Sequence, residues 1–377
     1  MLGTYLLYLG SFLTTALSAS KSHHRPRLKN QGSIGGKVQY IIYILAISFV
    51  PIFLASIRKG IGIDYSTYEI IFAKAKNNTL MEYYASANGN EIGNYFLIKI
   101  GYFLFANTQG VFALYAILTF GLLVASVLYY RNRISVFMGI MVMFFLYYTG
   151  GYNVVRQYLA MAIVVFALRF IEQRKFTMFF IFVVLATSIH STAFIMLFVY
   201  FLYEPSVQND GDTKMKMRKF RNTFMMIVLI FFPVFMSAIL NLISIIPIFT
   251  RYFEVYNASS YDITASVILK LPVYIPLLLA YRKNTLADER NKLYYILLVL
   301  EFELLLTSTA FKWGFRLSYY AIFSQVILVA YTVKNTANRK TKLIIGTYFF
   351  AWYAIQFWIL YFVWGRDAVV PYINIFM

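Results

Sequence analysis

Apolar runs long enough to cross a bilayer recur along nearly the whole of this 377-residue chain, and the polar connections between them are short. A helical span takes about 20 mainly apolar residues. Inside hydrocarbon the backbone must satisfy its own hydrogen bonds, which a helix does within one segment. The chain is 60% hydrophobic and 13% charged, against roughly 25% charged in a soluble domain. Soluble domains, a disordered chain and a secreted disulfide scaffold are thereby excluded. The expected fold is all-α: a polytopic integral membrane bundle of about twelve transmembrane helices, one transmembrane domain over 1–377. The expected spans are 1–19, 38–57, 109–130, 134–150, 152–171, 176–190, 191–204, 222–246, 264–281, 291–309, 315–333 and 341–363.

The net charge of +19 suggests acidic partners such as nucleic acid until it is divided by position. With the N-terminus outside, the connections that become cytoplasmic (20–37, 131–133, 172–175, 205–221, 282–292 and 334–342) hold 22 of the 34 Lys and Arg, and the outer segments hold 10. Cytoplasmic loops carry such an excess, so most of the charge is an orientation signal and no nucleic-acid partner is expected. Both termini then lie outside. The first segment lacks a basic stretch ahead of it, which marks an uncleaved span rather than a signal peptide. Residues 92–107 are apolar but short and contain Asn94 and Lys99. Were they to cross, every later loop would invert against the charge bias, so a re-entrant or interfacial outer helix is expected. Residues 176–204 read as a tight hairpin of short helices with His190 at its outer turn.

Cysteine is absent, and two of three histidines are adjacent at His23 and His24. Thiolate and iron–sulfur chemistry are excluded, and neither a metal nor a cofactor is expected. Asp210-Gly211-Asp212 resembles an acidic metal motif but sits in a polar linker with no folded domain to present it. Asn77-Asn78-Thr79 and Asn257-Ala258-Ser259 match only the three-residue glycosylation pattern.

The informative charges are the basic residues on the outer side. Arg58 and Lys59 end a span there, followed by Gly60, Gly62, Asp64, Tyr65 and Tyr68. Tyr65 and Tyr68 are three apart and share a helix face. Such a group suits a sugar on a phosphorylated lipid, or else is an ordinary aromatic belt with Asp64 as a helix cap. Glu91 precedes the 92–107 segment, either as an acid at a helix start or as a catalytic carboxylate. Arg156 and Gln157 open the span after Gly150-Gly151-Tyr152-Asn153, where a helix N-terminus and a guanidinium together suit a phosphate. His190, between two apolar runs, suits a general base or acid or a phosphate donor. Lys312, Trp313, Arg316, Tyr319 and Tyr320 crowd the entrance to a late span, and Arg251 lies on another outer loop. Glu301 and Glu303 lie within a span, two apart, so at least one is expected to pair with an arginine of a neighbouring helix.

The ordered set Arg58…Gly62-x-Asp64-Tyr65-x-x-Tyr68, Glu91, Asn153-x-x-Arg156-Gln157-x-x-Ala160, His190-Ser191-x-Ala193 and Arg316-x-x-x-Tyr320 resembles the EpsG-like family of Wzy-type oligosaccharide repeat-unit polymerases of bacterial capsule, O-antigen and exopolysaccharide synthesis. The DYxxY and NxxRQ pieces carry most of the likeness. The resemblance implies a GT-C-like helical architecture. It also implies an activity on the periplasmic or extracellular face: transfer of a growing glycan from undecaprenyl pyrophosphate to a new lipid-linked repeat unit, without metal or nucleotide. In that reading Arg58, Arg156, Gln157 and Arg316 bind the pyrophosphate. Asp64, Glu91 and His190 are the candidates for the base, and Tyr65, Tyr68, Trp313 and Tyr320 stack on sugars. The partners are undecaprenyl-pyrophosphate-linked oligosaccharides, membrane lipid, and a chain-length regulator and flippase of the same pathway. Two other readings share the substrate: a flippase or exporter of lipid-linked oligosaccharide, and an O-antigen-ligase-like transferase.

Overall fold

The computed structural model describes residues 1–21, 34–86, 91–203, 263–309 and 314–376, and the described chain is helical throughout. The expected span 222–246, the Asp210–Asp212 linker, His23, His24, Arg251, Asn257, Lys312 and Trp313 lie outside these residues. The helices are α1 (Leu2–Lys21), α2 (Ile34–Ile47), α3 (Phe49–Ile57), α4 (Tyr65–Asn77), α5 (Leu80–Ser86), α6 (Ile92–Phe105), α7 (Thr108–Tyr129), α8 (Val136–Tyr147), α9 (Gly150–Asn153), α10 (Val155–Glu172), α11 (Phe176–Ile189), α12 (Leu197–Leu202), α13 (Thr264–Leu279), α14 (Tyr281–Ala287), α15 (Asn291–Leu306), α16 (Gly314–Ser318), α17 (Phe323–Asn335) and α18 (Arg339–Trp358).

Among the described residues four helical stretches are long and apolar enough to span a membrane: Leu2–Lys21, Thr108–Tyr129, Gly314–Asn335 and Arg339–Val363. Two bent pairs raise the number to six, and Ile92–Phe105, Val136–Tyr147, Phe176–Ile189 and Ser191–Leu202 are shorter apolar helices. This is a polytopic membrane protein, and among the described residues two of the expected spans are bent pairs of helices rather than straight ones. Where one span was expected over 38–57, α2 and α3 meet at 67°. Pro51 has no N–H for the Ile47 carbonyl four residues back, and at the break Ser48 Oγ turns back to donate to the Ile44 carbonyl at 2.6 Å. Where one was expected over 264–281, α13 carries Pro272 and Pro276 and turns by 53° into α14. The 92–107 segment forms the short helix α6, which ends on Ala106 in the left-handed region.

The helices gather into two compact units: Met1–Phe170 with Lys175–Phe194 and Val329–Met377, and Ile171–Arg174 with Ile195–Leu328. In the first, α7 is the central helix, packed against α3, α6 and α8, while α1 and α18 pack on α8. The core is aromatic: Phe12 stacks on Phe144 at 5.0 Å, and Tyr8, Tyr148 and Phe357 close around them. Rigid rings of this size bury much apolar area and lock by edge-to-face contacts. The chain's two ends meet here: Tyr8 donates to the Val369 carbonyl, and the Tyr372 N–H to Thr4 Oγ1.

In the second unit Glu301 is fully buried and its partner differs from expectation. Lys270 of α13 pairs with it, and Gln325 Nε2 donates to both carboxylate oxygens at 2.8 and 2.9 Å. A buried carboxylate needs a partner, but charge alone does not say which basic residue the packing delivers.

Candidate active site

One end of the first unit is built from the start of α7, the end of α3, the starts of α6 and α10, and the break after α11. Glu91 stands at the N-cap of α6 with extended backbone, and its side chain makes no cap. Its carboxylate instead joins three elements. Arg156 Nη1, in the first turn of α10, donates to Glu91 Oε2 at 2.7 Å. The Ser191 N–H donates to Oε1 at 3.0 Å. His190 Nδ1 lies 3.4 Å from the same oxygen. His190 is placed by a break in the helical run: α11 stops at Ile189, His190 is extended (φ −153°, ψ 113°), and a 3-10 turn follows from Ser191. The three side chains remain partly accessible, at 14% for Glu91, 17% for His190 and 19% for Arg156. Burial pushes the Glu91 carboxyl up. The His190 imidazole beside it, the Arg156 charge and the Ser191 N–H outweigh it and hold the group at about 2. Glu91 is therefore a fixed anion.

Tyrosines close the back of this cluster. The Tyr68 hydroxyl is within hydrogen-bonding reach of the Arg156 guanidinium, and burial still pushes its pKa above the ordinary value. Asn94 sits one turn from Glu91 and is fully buried, donating to the Tyr83 hydroxyl at 2.9 Å and accepting from Tyr115 of α7. Arg156 thus has a carboxylate on one side and a hydroxyl on another.

The Arg58 segment lies at the same end and is built differently. Gly60 and Gly62 take positive φ, and a Cβ on Gly62 would come within 2.9 Å of the Tyr152 carbonyl oxygen. Arg58 is 2% exposed. Its Nη1 donates to the Ala55 carbonyl at 2.6 Å, at the C-terminal end of α3, and its Nη2 to the Tyr152 carbonyl at 3.4 Å. The guanidinium carbon lies 4.8 Å from the Phe112 ring centre and 4.7 Å from that of Tyr152. Gln109 of α7 fixes the strand leaving α3 by donating to the Ser56 and Arg58 carbonyls, and it accepts from the Tyr65 hydroxyl. Asn153 accepts from the Asp64 N–H at 2.9 Å and donates to Asp367 at 3.1 Å. The tail is laid over the segment: the Lys59 N–H donates to the Ile373 carbonyl and the Ile375 N–H to the Ile57 carbonyl.

The structure brings Glu91, Arg156, His190 and Tyr68 into one cluster, with Asp64 half-buried beside Tyr68. Arg58, Tyr65, Tyr68 and Gln157 are buried. Tyr65 stacks on Phe112 at 4.8 Å, so its ring face is occupied by protein. Arg316, with its charge 5.9 Å from the Phe315 ring centre, and the fully buried Tyr320 belong to the second unit. Sequence reasoning missed Asn94, Tyr83, Tyr115 and Gln109. A buried asparagine in an otherwise apolar helix was their signal, because such a group demands partners. Among the described residues no three His, Cys, Asp or Glu side chains converge as a metal site would require.

No curated protein and no solved structure matches the chain. The EpsG family matches it over residues 41–374, which include all of the cluster just described. The chain is a member of the EpsG family, which is linked to exopolysaccharide biosynthesis.

Proposed function

We propose that the chain is a Wzy-type polymerase that moves a growing glycan from undecaprenyl pyrophosphate onto the end of a new lipid-linked repeat unit, on the outer face of the bacterial cytoplasmic membrane. The observation that carries this reading is the Glu91–Arg156–His190 cluster, a partly accessible cation and imidazole fixed by one permanent carboxylate. In the reaction the acceptor hydroxyl forms a bond to the anomeric carbon while the bond from that carbon to the pyrophosphate breaks. The leaving group takes the electron pair and gains negative charge. Arg156, already oriented by Glu91 and Tyr68, stabilises that charge without reorganising. Glu91 facing Nδ1 favours the tautomer with its proton there, leaving Nε2 to accept the acceptor's proton. Of the three candidate bases this favours His190, with Glu91 as a positioning residue. Asp64 and Gln157 shape the surroundings, and Arg316 is proposed to bind phosphate and Trp313 and Tyr320 to bind sugar, as the family resemblance implies. The termini outside and the basic connections inside follow the charge bias.

Reconstitution with undecaprenyl-pyrophosphate-linked repeat units tests the reading. A ladder of elongated glycans is expected. Movement of the lipid across the vesicle without elongation would instead show an exporter, and transfer only to a lipid A core acceptor would show a ligase.

A further inference from the structure

The other end of the first unit carries a groove of about 570 Å³ between α8, α17 and α18. The 22 residues of α7 separate it from the Glu91 end by about 33 Å, close to the roughly 30 Å of a hydrocarbon core. One helical face of α18 lines it in a definite order: Arg339, then Lys342 and Leu343, then Gly346, then Phe350. Cations stand at the mouth, and apolar or small residues run on from Leu343 to Phe350 for about 10 Å of helix rise. Gly346 keeps the floor open, for a Cβ there meets only Val333, at 3.7 Å.

The charge around the mouth is of one sign. Arg131, Arg133, Lys334, Arg339, Lys340 and Lys342 gather on these segments, and neither 129–148 nor 329–348 contains an Asp or Glu. Lys334 is tied to the Arg131 and Asn132 carbonyls, and Lys342 donates to the Lys334 carbonyl at 3.1 Å. Arg339 is exposed and makes no ion pair or hydrogen bond among the described residues. A cationic mouth continued by an apolar slot fits an amphiphile with a phosphate head and hydrocarbon tail. We propose that this groove is a binding site for an anionic phospholipid, its phosphate between Arg339 and Lys342 and one acyl chain along Leu343, Gly346 and Phe350.

Full-length protein, purified in detergent and stripped of lipid, would be titrated with phosphatidylglycerol and with phosphatidylcholine and followed by native mass spectrometry. One phosphatidylglycerol is expected to be retained where phosphatidylcholine is not. R339Q with K342Q should weaken retention about thirtyfold, two headgroup cations contributing roughly fivefold each. G346L keeps both cations and fills the slot, and should also lose the lipid. A G346L protein that binds like the wild type would reduce the effect to general surface attraction and overturn the site. Equal retention of both lipids, or an unaltered charge variant, would overturn it too. Undecaprenyl phosphate displacing phosphatidylglycerol at lower concentration would assign the groove to the carrier lipid. A co-purifying polypeptide protecting Leu343 from surface labelling would assign it to a protein. Size-exclusion profiles matching the wild type keep misfolded variants out of the comparison.

Discussion

Arg156 and Arg58 sit at the same end of one unit, and their surroundings differ in kind. Arg156 faces a carboxylate and a tyrosine hydroxyl, with 19% of its side chain accessible. Arg58 is sealed between two aromatic rings, holds backbone carbonyls and meets no carboxylate among the described residues. A guanidinium that caps a helix C-terminus and stacks on rings organises the backbone. One that is oriented yet reachable can meet an incoming anion. Two arginines at span ends, alike in sequence, therefore divide into one enclosed by protein and one reachable by an incoming anion.

The sharpest way to break this contrast is to remove each cation while keeping its bulk. Arg156→Met should abolish the glycan ladder, a loss of about 3–5 kcal/mol of transition-state stabilisation, at unchanged expression. Arg156→Lys should recover little, since a point charge cannot replace the fork. For Arg58 the effect should fall on stability: Arg58→Ala is expected to lower it by about 3 kcal/mol through a void and unheld carbonyls. Arg58→Met should stay much nearer the wild type, because no buried anion loses its partner. A well-folded Arg58→Met protein without activity would erase the distinction. The smallest effect concerns Glu91. Its carboxyl is depressed from 4.5 to about 2, so its contribution is present above 4.5 and lost as pH falls through 2. That contribution is at most about 3 kcal/mol. Thermal unfolding in detergent should show a steeper fall in stability over this window for the wild type than for Glu91→Gln. Parallel curves would show that the carboxylate is not held as described.

Much of the cluster was legible because it sits where helices start and stop. Glu91 before an apolar run, Arg156 after a glycine pair and His190 between two runs are punctuation, and punctuation is local. The Arg58 environment was not legible, since its sealing depends on Phe112 and Tyr152, distant residues that sequence order cannot bring together. Tyr65 and Tyr68 share a face as spacing required, but the Tyr65 ring stacks on Phe112 of α7 and the Tyr68 hydroxyl turns to Arg156, contacts that spacing alone does not give. Lys270 escaped notice as Glu301's partner because a lysine in a span reads as an isolated oddity until a neighbouring helix is placed beside it. The bends after α2 and α13 were written in Pro51, Pro272 and Pro276, but hydropathy summed over a window averages such breaks away.

The segment that crosses Arg58 ties together stretches that lie far apart in the sequence. Asn153 donates to Asp367, and residues 373–375 pair with 57–59, so the loop that carries Asp64 is closed by residues about 300 positions further along the chain. The Gly62 N–H is likewise held by the Ala368 carbonyl. The candidate site is thus framed by long-range contacts, and a truncation or insertion near residues 365–375 should disturb the Asp64 loop without touching any residue of the Glu91 cluster.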